Sequence, residues 1–346
     1  MDEFKNFDYS DVINKKYKFL LGGDLDVDDY KDFYNINVFN GVPDYNNEYD
    51  FLKLEYVDDI PFTSLIPLND EFYNLRLMQY NFEIILQPDK PIVIKNYYTG
   101  SGVAIASDFN IQCKNNIKAD LLELNISSAD KLIVNNRNFS IEESFLNYSR
   151  MDFIDNETSI FNNYNVSVGV GKFESVLTDK QGKVSINFWD INLNKPDSTA
   201  EVSGIVELNS ADRHGNVCKI NHLKNETGSK QEFRHILNGT SYAMYDGDSH
   251  IAVGAQDSSS SQISKAIMLS NNSRILNKPR LNIHNSNVKA THGATVGKLN
   301  NDDIFYMKQR GLSTKLVEEI LLEAFKKDIL DRIHNQEIRS FFHDKG

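Results

Sequence analysis

The sequence predicts a mainly β protein with a C-terminal α-helical domain. Between about residues 80 and 295, short apolar runs recur about every ten residues and alternate with polar residues at a period of two, as in 184–188. The connectors between these runs are rich in Asn, Asp, Ser and Gly, which are typical of turns. After residue 300 the apolar positions change to the i, i+3, i+4 spacing of an amphipathic helix.

Two β architectures fit this spacing, a sandwich and a solenoid of stacked parallel coils. Asn238-Gly239 and Asp246-Gly247 are dipeptides typical of tight hairpin turns, which favour the sandwich. Stacked coils tolerate irregular sequence and place Asn at their corners, which favours the solenoid. The pattern alone therefore leaves both architectures open.

Changes in composition and hydrophobic pattern along the chain predict three segments. Residues 1–79 are acidic and aromatic with a weak helical pattern, and they predict a short, partly helical N-terminal cap. Residues 80–298 form the β core, and residues 299–346 form the C-terminal helical domain.

Local capping signals predict two helices in the last segment. Asn301 or Asp302 can cap a first helix, and Gly311 can end it in the left-handed conformation. Ser313 can cap a second helix. The apolar stripe of this second helix consists of Leu316, Val317, Ile320, Leu321, Ala324 and Phe325. From the pattern alone, such a stripe most often packs on its own domain.

Composition and charge exclude several classes of protein. The 346 residues carry a formal net charge of −12, which argues against phosphate neutralisation on nucleic acid and against an anionic membrane surface. The sequence has no apolar stretch long enough to span a membrane and no export signal at its first residues. We therefore expect a cytoplasmic protein, with an organellar stroma or matrix as the alternative.

The cysteine and asparagine content of the sequence leads to two further expectations. The only cysteines, Cys113 and Cys218, lie far apart, which excludes a disulfide framework and a four-cysteine metal site within one chain. The abundance of Asn suggests compositional drift more than function.

Three short motifs resemble known ligand loops but depart from them at required positions. Residues 168–172 lack the first glycine and the hydroxyl residue of a phosphate loop, so we interpret them as a glycine-bearing strand. Residues 24–28 lack the turn glycine of a calcium loop and read as a solvated acidic segment. Residues 100–102 begin a dinucleotide-like pattern that no helix signal follows.

All eight histidines follow residue 213, and no pair has the spacing of a zinc protease. Taken singly, each is expected to be structural or exposed. Their clustering indicates a site only if the fold brings several together. They are His214, His222, His235, His250, His284, His292, His334 and His343.

One segment is far more specific than these motifs. Residues 289–299 read KATHGATVGKL, and residues 303–312 and 321–325 continue the pattern into the helical domain. This segment resembles the C-terminal signature of the SufB/SufD family of iron–sulfur cluster assembly proteins, in its SufD-like branch. The residues of the central motif are His292, Gly293, Ala294, Thr295, Val296 and Gly297. Upstream positions that fit the family pattern are His222, Ser229, Gln231, Gly247, Gln262, Leu269 and Pro279-Arg280-Leu281.

The resemblance implies a right-handed parallel β-helix core, for which we expect coils of roughly 20–25 residues. It implies a non-catalytic scaffold subunit that pairs with a SufB-like subunit and docks a SufC-like ATPase, which is the enzyme of the complex. No cofactor is expected to be bound stably by this chain alone. The implied cargo is a transient iron–sulfur cluster, and reduced flavin is a further ligand that the family allows.

The resemblance also assigns roles to individual residues. His292 matches a SufD histidine that faces SufB, which makes it a candidate ligand of the nascent cluster; the alternative is a buried corner histidine that holds the last coil. The stripe from Leu316 to Phe325 becomes a candidate ATPase-docking surface. The sequence has Ala290 where many SufD proteins have Cys, and residues 271–274 lack the thiol that SufB carries there. The thiolates are therefore expected from the partner.

Two other functions remain as alternatives. The chain could act as a homodimeric SufB/SufD-family platform without SufB. A solenoid hydrolase acting on polysaccharide would need an acidic groove along one face of the solenoid, and the carboxylates are too many for a catalytic pair to be chosen from the sequence.

Overall fold

The computed structural model describes residues 33–43, 52–55, 81–86, 90–98, 103–127, 131–180 and 182–345. Within these ranges the chain is mainly strand, and most strands are about ten residues long. In chain order they are β1 (Tyr34–Phe39), β2 (Val42–Pro43), β3 (Leu52–Glu55), β4 (Asn81–Ile85), β5 (Ile92–Tyr98), β6 (Val103–Cys113), β7 (Lys118–Ser127), β8 (Lys131–Ile141), β9 (Ser144–Phe153) and β10 (Ser159–Val168). They continue as β11 (Gly171–Lys180), β12 (Val184–Leu193), β13 (Thr199–Leu208), β14 (Arg213–His222), β15 (Gly228–Leu237), β16 (Tyr242–Ile251), β17 (Ser258–Met268), β18 (Arg274–Ile283) and β19 (Val288–Gly297).

From β4 onward, successive strands alternate between two sheets and so wind into a parallel solenoid. Sheet A has the order β19-β17-β15-β13-β11-β9-β7-β5-β1-β2, and sheet B has the order β18-β16-β14-β12-β10-β8-β6-β4-β3. From β4 and β5 onward, neighbouring strands within each sheet are parallel. This confirms the predicted mainly β, parallel solenoid core and excludes a sandwich built from hairpins.

Most coils are longer than the expected 20–25 residues, and the shortest reaches the upper end of that range. Register partners are 25 residues apart where Ser159 pairs with Val184, and 32 apart where Tyr242 pairs with Arg274. The reason is that each coil holds two strands of about ten residues plus two corners. Asn238-Gly239 forms one such corner, with Gly239 at a φ of +65°, whereas Asp246-Gly247 lies inside β16.

Aromatic and aliphatic side chains fill the lumen between the sheets. Trp189 is fully buried and stacks on Tyr164 with ring centroids 3.8 Å apart, and Phe173 packs against the same indole at 6.2 Å. These residues come from β10, β11 and β12, so the contacts join two successive coils across both sheets. Burial of this apolar surface is the main favourable contribution to folding.

A ladder of buried asparagines runs through the lumen side of sheet B. Asn135, Asn162, Asn187 and Asn216 occupy matching positions in β8, β10, β12 and β14. Each amide nitrogen donates to the carbonyl oxygen of the next residue, at 3.0, 3.0 and 2.9 Å. An amide can donate and accept at once, so the ladder satisfies buried polar groups from coil to coil. At these four positions Asn is a structural residue.

Charged side chains also lie inside the solenoid. Arg137 forms an ion pair with Glu123 at 2.6 Å, and Arg150 contacts both Asp179 and Asp152, the latter at 3.3 Å. All five side chains are nearly inaccessible to solvent. Burial raises the pKa of Asp152 to about 7 against the pull of Arg150, and the Asp179 carboxylate raises it further. The His214 imidazole, 2.9 Å from Asp179, belongs to the same buried cluster.

Three helices follow the solenoid: α1 (Asn301–Gln309), α2 (Thr314–Leu330) and α3 (Gln336–Lys345). Ser313 caps α2 as predicted, because its Oγ accepts from the N–H of Leu316. The cap of α1 is Asn300, one residue before the predicted Asn301 or Asp302. Gly311 follows α1 and its C-cap Arg310, and it adopts the predicted left-handed conformation with a φ of +89°.

The second half of α2 and all of α3 pack on the outer face of sheet A. Ile329, Leu330 and Phe342 are buried in a cluster that includes Val176 and Ile205 of the sheet. Because these contacts come from both helices, the helical domain is anchored to the solenoid over several coils.

Ion pairs reinforce this anchor beside the last coils. Lys326 contacts Glu207 at 3.1 Å, and Arg234 donates to the carbonyl oxygen of Phe325 at 2.7 Å. Burial alone would raise the pKa of Glu232, but hydrogen bonds from Arg332 and Arg234 lower it to about 2. A carboxylate that stays ionised between two arginines makes this contact persistent across the physiological pH range.

Several sequence predictions concern the edges of the described chain. Residues 34–39, within the predicted N-terminal cap, form β1 in parallel register with β5. Residues 24–28 and 100–102 lie outside the described residues.

Residues 168–172 turn the corner from β10 to β11, where Gly171 has a φ of +138° and a Cβ would meet the Ser144 carbonyl oxygen at 2.2 Å. Among the described helices, none has the length and apolarity that a membrane span requires.

Candidate functional site: the open end of the solenoid

The C-terminal end of the solenoid is uncovered. In the described chain, β18 and β19 are the last strands of their sheets and each pairs on one side only, with β16 and β17. Inner strands such as β16 bury every second residue, whereas most of β19 is exposed. We call the lumen-facing surface of β18 and β19 the open end.

His292 lies in the middle of β19 on this open end. Its register partner is Gln262, and the partner of Gln262 is Gln231. Parallel register places the three side chains in one row on the same face of sheet A. Gln231 and Gln262 are fully buried in the lumen, whereas His292 is exposed because no coil of the described chain stacks above it. In the free chain His292 is therefore an exposed residue in the middle of a strand.

The floor beneath His292 is a hydrogen-bonded layer. The amide nitrogen of Gln262 donates to Ser249 Oγ at 2.7 Å and to the Arg280 carbonyl oxygen at 2.8 Å. Its Oε1 is buried and has no hydrogen-bond partner among the described residues. An unpaired acceptor at a buried position is energetically costly, and this one lies one strand away from the exposed imidazole.

Apolar and small residues surround His292. Ala290 and Ala294 flank it on the same face of β19, and Val296, 52% exposed, follows them. Ile283 on β18 is also exposed. In the coils below, the same positions are buried core, so the open end resembles a solenoid that has been cut between two coils.

His222, which fits the family pattern, is the last residue of β14 and has a structural role there. Its Nδ1 lies 2.8 Å from Thr227 Oγ1 and its Nε2 lies 2.8 Å from Ser229 Oγ, so both ring nitrogens are engaged. Burial, together with the nearby His250, lowers the pKa of His222 to about 4. A neutral, doubly hydrogen-bonded imidazole holds the coil and is not free to bind a ligand.

The other histidines divide into buried and surface groups. His214 contacts Asp179 at 2.9 Å inside the lumen, and His334 contacts Glu174 on the outer surface. His250 and His284 lie side by side with ring centroids 5.2 Å apart. Within the described ranges, no group of three or more His, Cys, Asp or Glu residues could hold a metal ion.

Neither cysteine can act at the open end. Cys113 and Cys218 are both buried and free. Burial raises the pKa of the Cys113 thiol to about 11 and that of Cys218 well above its ordinary value. Buried neutral thiols are poor nucleophiles and poor metal ligands.

The predicted docking stripe on α2 is divided between two surroundings. Val317 is buried, and Phe325 is half-buried beneath the Arg234 guanidinium, whose centre lies 5.2 Å from the ring centroid. Leu316 and Ile320 are exposed by 42% and 37%. Leu321 is half-buried and Ala324 is exposed.

Two aromatic residues on the preceding helix α1 are also exposed, and sequence reasoning missed them. Phe305 is 65% exposed and Tyr306 is 57% exposed, and α1 buries no residue of its own. The short helix gave only a weak amphipathic signal, which is why the pattern did not single them out. We call Phe305, Tyr306, Leu316 and Ile320 the hairpin surface.

The fold and the open end define the chain as a parallel β-solenoid protein with a C-terminal helical domain. Residues 96–325 match the family model described as "SUF system FeS cluster assembly, SufBD core domain". The match covers more than half of the chain, and the chain belongs to this family.

Similar proteins carry consistent descriptions. The chain is 33% identical over 123 residues to an iron–sulfur cluster assembly SufBD family protein of Synechocystis, covering 36% of this chain and 26% of that protein. It is 23% identical over 120 residues to the iron–sulfur cluster assembly protein SufD of Escherichia coli, covering 35% and 28%. It is 23% identical over 173 residues to the chloroplastic protein ABCI7 of Arabidopsis thaliana, covering 49% and 36%. The matched stretches thus span about a quarter to a third of these relatives.

Proposed function

We propose that this chain is a SufD-like scaffold subunit of an iron–sulfur cluster assembly complex. It pairs with a SufB-like subunit through the open end and holds a SufC-like ATPase on the hairpin surface. The observation that carries the proposal is the uncovered last coil, which presents His292 in the lumen row next to Gln262. Family membership supports the same complex.

The physics of the open end supports pairing with another chain. Terminal coils of solenoids need a cap, because they otherwise leave apolar surface and unpaired strand edges in water. The described helices pack on the outer face of sheet A and leave β18 and β19 exposed. A second solenoid placed end to end would cover the apolar residues and satisfy the strand edges together.

The chemistry at His292 suits a transient cluster as cargo. A neutral imidazole nitrogen can ligate iron, and it replaces thiolate in some iron–sulfur centres. The two cysteines of this chain are buried, so the thiolates are proposed to come from the partner. Mixed ligation of this kind would hold the cluster less tightly than four thiolates, which is what a transfer scaffold needs.

We predict that His292→Ala lowers cluster build-up on the reconstituted complex without lowering the yield of the complex. The exposed side chain makes no packing contact whose loss would unfold the chain. Cluster formation would be followed by visible absorption after addition of iron and sulfide under reducing conditions. Thr291→Ala, on the opposite face of β19, is the matched control, and equal cluster formation in the two variants would return His292 to a structural role.

The hairpin surface supports docking of an ATPase. Four large apolar side chains on the consecutive helices α1 and α2 are exposed, while the other end of α2 is anchored to sheet A. An apolar helix face of this kind is the typical ligand of a hydrophobic groove. Because the anchored half of α2 contacts β13 and β15, movement of a bound ATPase would be transmitted to the coils next to the open end.

We predict that the double substitution Leu316→Asp and Ile320→Asp abolishes co-purification with a SufC-like ATPase. Both side chains are exposed, so the fold should survive, which circular dichroism would check. Placing two carboxylates in an apolar contact costs several kcal/mol of desolvation. Glu318→Lys, an exposed change on another face of α2, should leave docking intact; co-purification of the double variant would contradict the proposed surface.

The remaining elements of the proposal follow from this role. The chain itself is proposed to be non-catalytic, with ATP hydrolysis carried out by the partner. A homodimer of this chain would use the same open end. Sedimentation of the chain alone, compared with sedimentation of its mixture with a SufB-like subunit, distinguishes a homodimer from a heterodimer. Binding of reduced flavin and residence in the cytoplasm, or in a stroma or matrix, stay predictions.

A further inference from the structure

His250 and His284 come together at one corner of the solenoid from neighbouring coils. His250 is near the end of β16, where its register partner on β18 is Asn282. His284 directly follows β18, and its backbone N–H donates to the Ile251 carbonyl oxygen at 3.0 Å. The ring centroids are 5.2 Å apart and the ring planes are inclined by 60°.

Both imidazoles are available to a ligand. His250 is half-buried and His284 is exposed. In the described part of the chain, no hydrogen bond or ion pair engages a ring nitrogen of either residue, in contrast to His222 with its two hydroxyl partners. Asp248, two residues before His250 on the same outer face, adds negative charge to the surroundings.

The separation of the rings matches two ligands of one metal ion. A nitrogen about 2.1 Å from Zn²⁺ places the centroid of its ring about 3.2 Å from the metal. Two centroids 5.2 Å apart then subtend about 110° at a shared ion, which is close to a tetrahedral angle. The centroids lie nearly on the Cβ–Cγ axes, so rotation about χ2 redirects the nitrogens while the centroids keep their separation.

We propose that His250 and His284 form a two-histidine site for a borderline divalent metal ion such as Zn²⁺, Co²⁺ or Fe²⁺. Imidazole nitrogen is a suitable ligand for borderline ions of this kind. Because the described residues offer no third His, Cys, Asp or Glu in a metal-binding cluster, water completes the coordination. The site involves neither His292 nor the hairpin surface, and it does not depend on the proposed function.

Titration of the full chain with Co²⁺, followed by its ligand-field absorption, tests the site. We expect one Co²⁺ per chain, displaced by Zn²⁺. Loss of one imidazole converts a bidentate site into a monodentate one, so His250→Ala and His284→Ala should each weaken binding at least about tenfold. His343→Ala, which removes an exposed histidine of α3 without a proposed ligand role, should bind as the wild type.

Two outcomes would overturn the proposal. One is wild-type affinity in the double variant of His250 and His284, and the other is absence of saturable Co²⁺ binding to the wild type. Should an alanine variant lose its circular dichroism spectrum, His250→Asn and His284→Asn keep a polar side chain in the corner without an imidazole. The same affinity differences are then expected from the asparagine pair.

Discussion

Replacing Arg150 with methionine is expected to lower the free energy of unfolding by about 3–5 kcal/mol, the range for breaking a buried ion pair by removing one partner. Arg150 is fully buried and contacts Asp152 and Asp179 in the lumen. It also donates to Tyr164 Oη and, at 2.9 Å, to Asn187 Oδ1. Methionine fills much of the same volume, so the expected effect comes from charge and hydrogen bonding and not from a cavity.

The loss is large because the partners cannot reach water. Without Arg150, the interacting carboxylates of Asp152 and Asp179 keep only the His214 imidazole, 2.9 Å from Asp179, and Arg137, which is already paired with Glu123. They must either repel each other in a medium of low polarity or take up protons. Asn187, the member of the amide ladder that contacts Arg150, loses a donor at the same time.

Equilibrium unfolding in urea measures this prediction. The matched control is Lys315→Met, which removes one member of the exposed Lys315–Glu319 pair and should change stability by about 0–1 kcal/mol. Tyr164→Phe removes only the hydroxyl contact and should give an intermediate loss if the methionine variant does not accumulate. A methionine variant as stable as the control would mean that the carboxylates are neutral without Arg150.

Local patterns predicted the elements that depend on local interactions. The period-two runs mark strands such as β12, and Ser313 and Gly311 bound the helices where expected, because capping and alternation act within a few residues. Solenoid and sandwich could not be separated this way. The difference lies in the pairing of residues 25–32 positions apart, such as Ser159 with Val184, and no periodicity of single strands encodes it.

The interior polar residues show why the core was harder to predict than the strands. Asn162 and Arg150 occupy lumen positions where the alternation rule expects apolar residues. Asn162 donates to Asn187 of the next strand of sheet B, and Arg150 donates to the same residue, so their burial depends on the register of the whole solenoid. Polar core residues therefore look like surface residues until the coils are stacked.

The candidate sites were predictable to different degrees. His292 was found because a motif singled it out, but its exposure results from its place on the last coil, which the sequence does not mark. The His250–His284 pair was not predicted, because 34 residues separate the two and only the β16–β18 register brings them together. Phe305 and Tyr306 belong to a helix too short to give a periodic signal.

The second large effect is expected at the open end. The double substitution Ala294→Asp and Val296→Asp should weaken pairing with a SufB-like subunit by at least about 100-fold, because burying unpaired carboxylates costs several kcal/mol. Both residues lie on the lumen-facing side of β19 and are exposed in the free chain. The variant should therefore fold normally on its own.

Thr295→Asp is the matched control, since Thr295 lies between the two on the same strand but faces outward. End-to-end pairing buries the lumen face and leaves the outer face in water, so the control should bind within a few-fold of the wild type. Isothermal titration calorimetry measures the affinity of each variant for the SufB-like subunit. Sedimentation of the chain alone measures self-association of the same variants. Equal weakening by Thr295→Asp would indicate contact through the outer face of sheet A, and unchanged affinity in the double variant would show that the partner does not use the open end. Only a loss confined to the lumen-facing pair fits a solenoid that is completed by another chain.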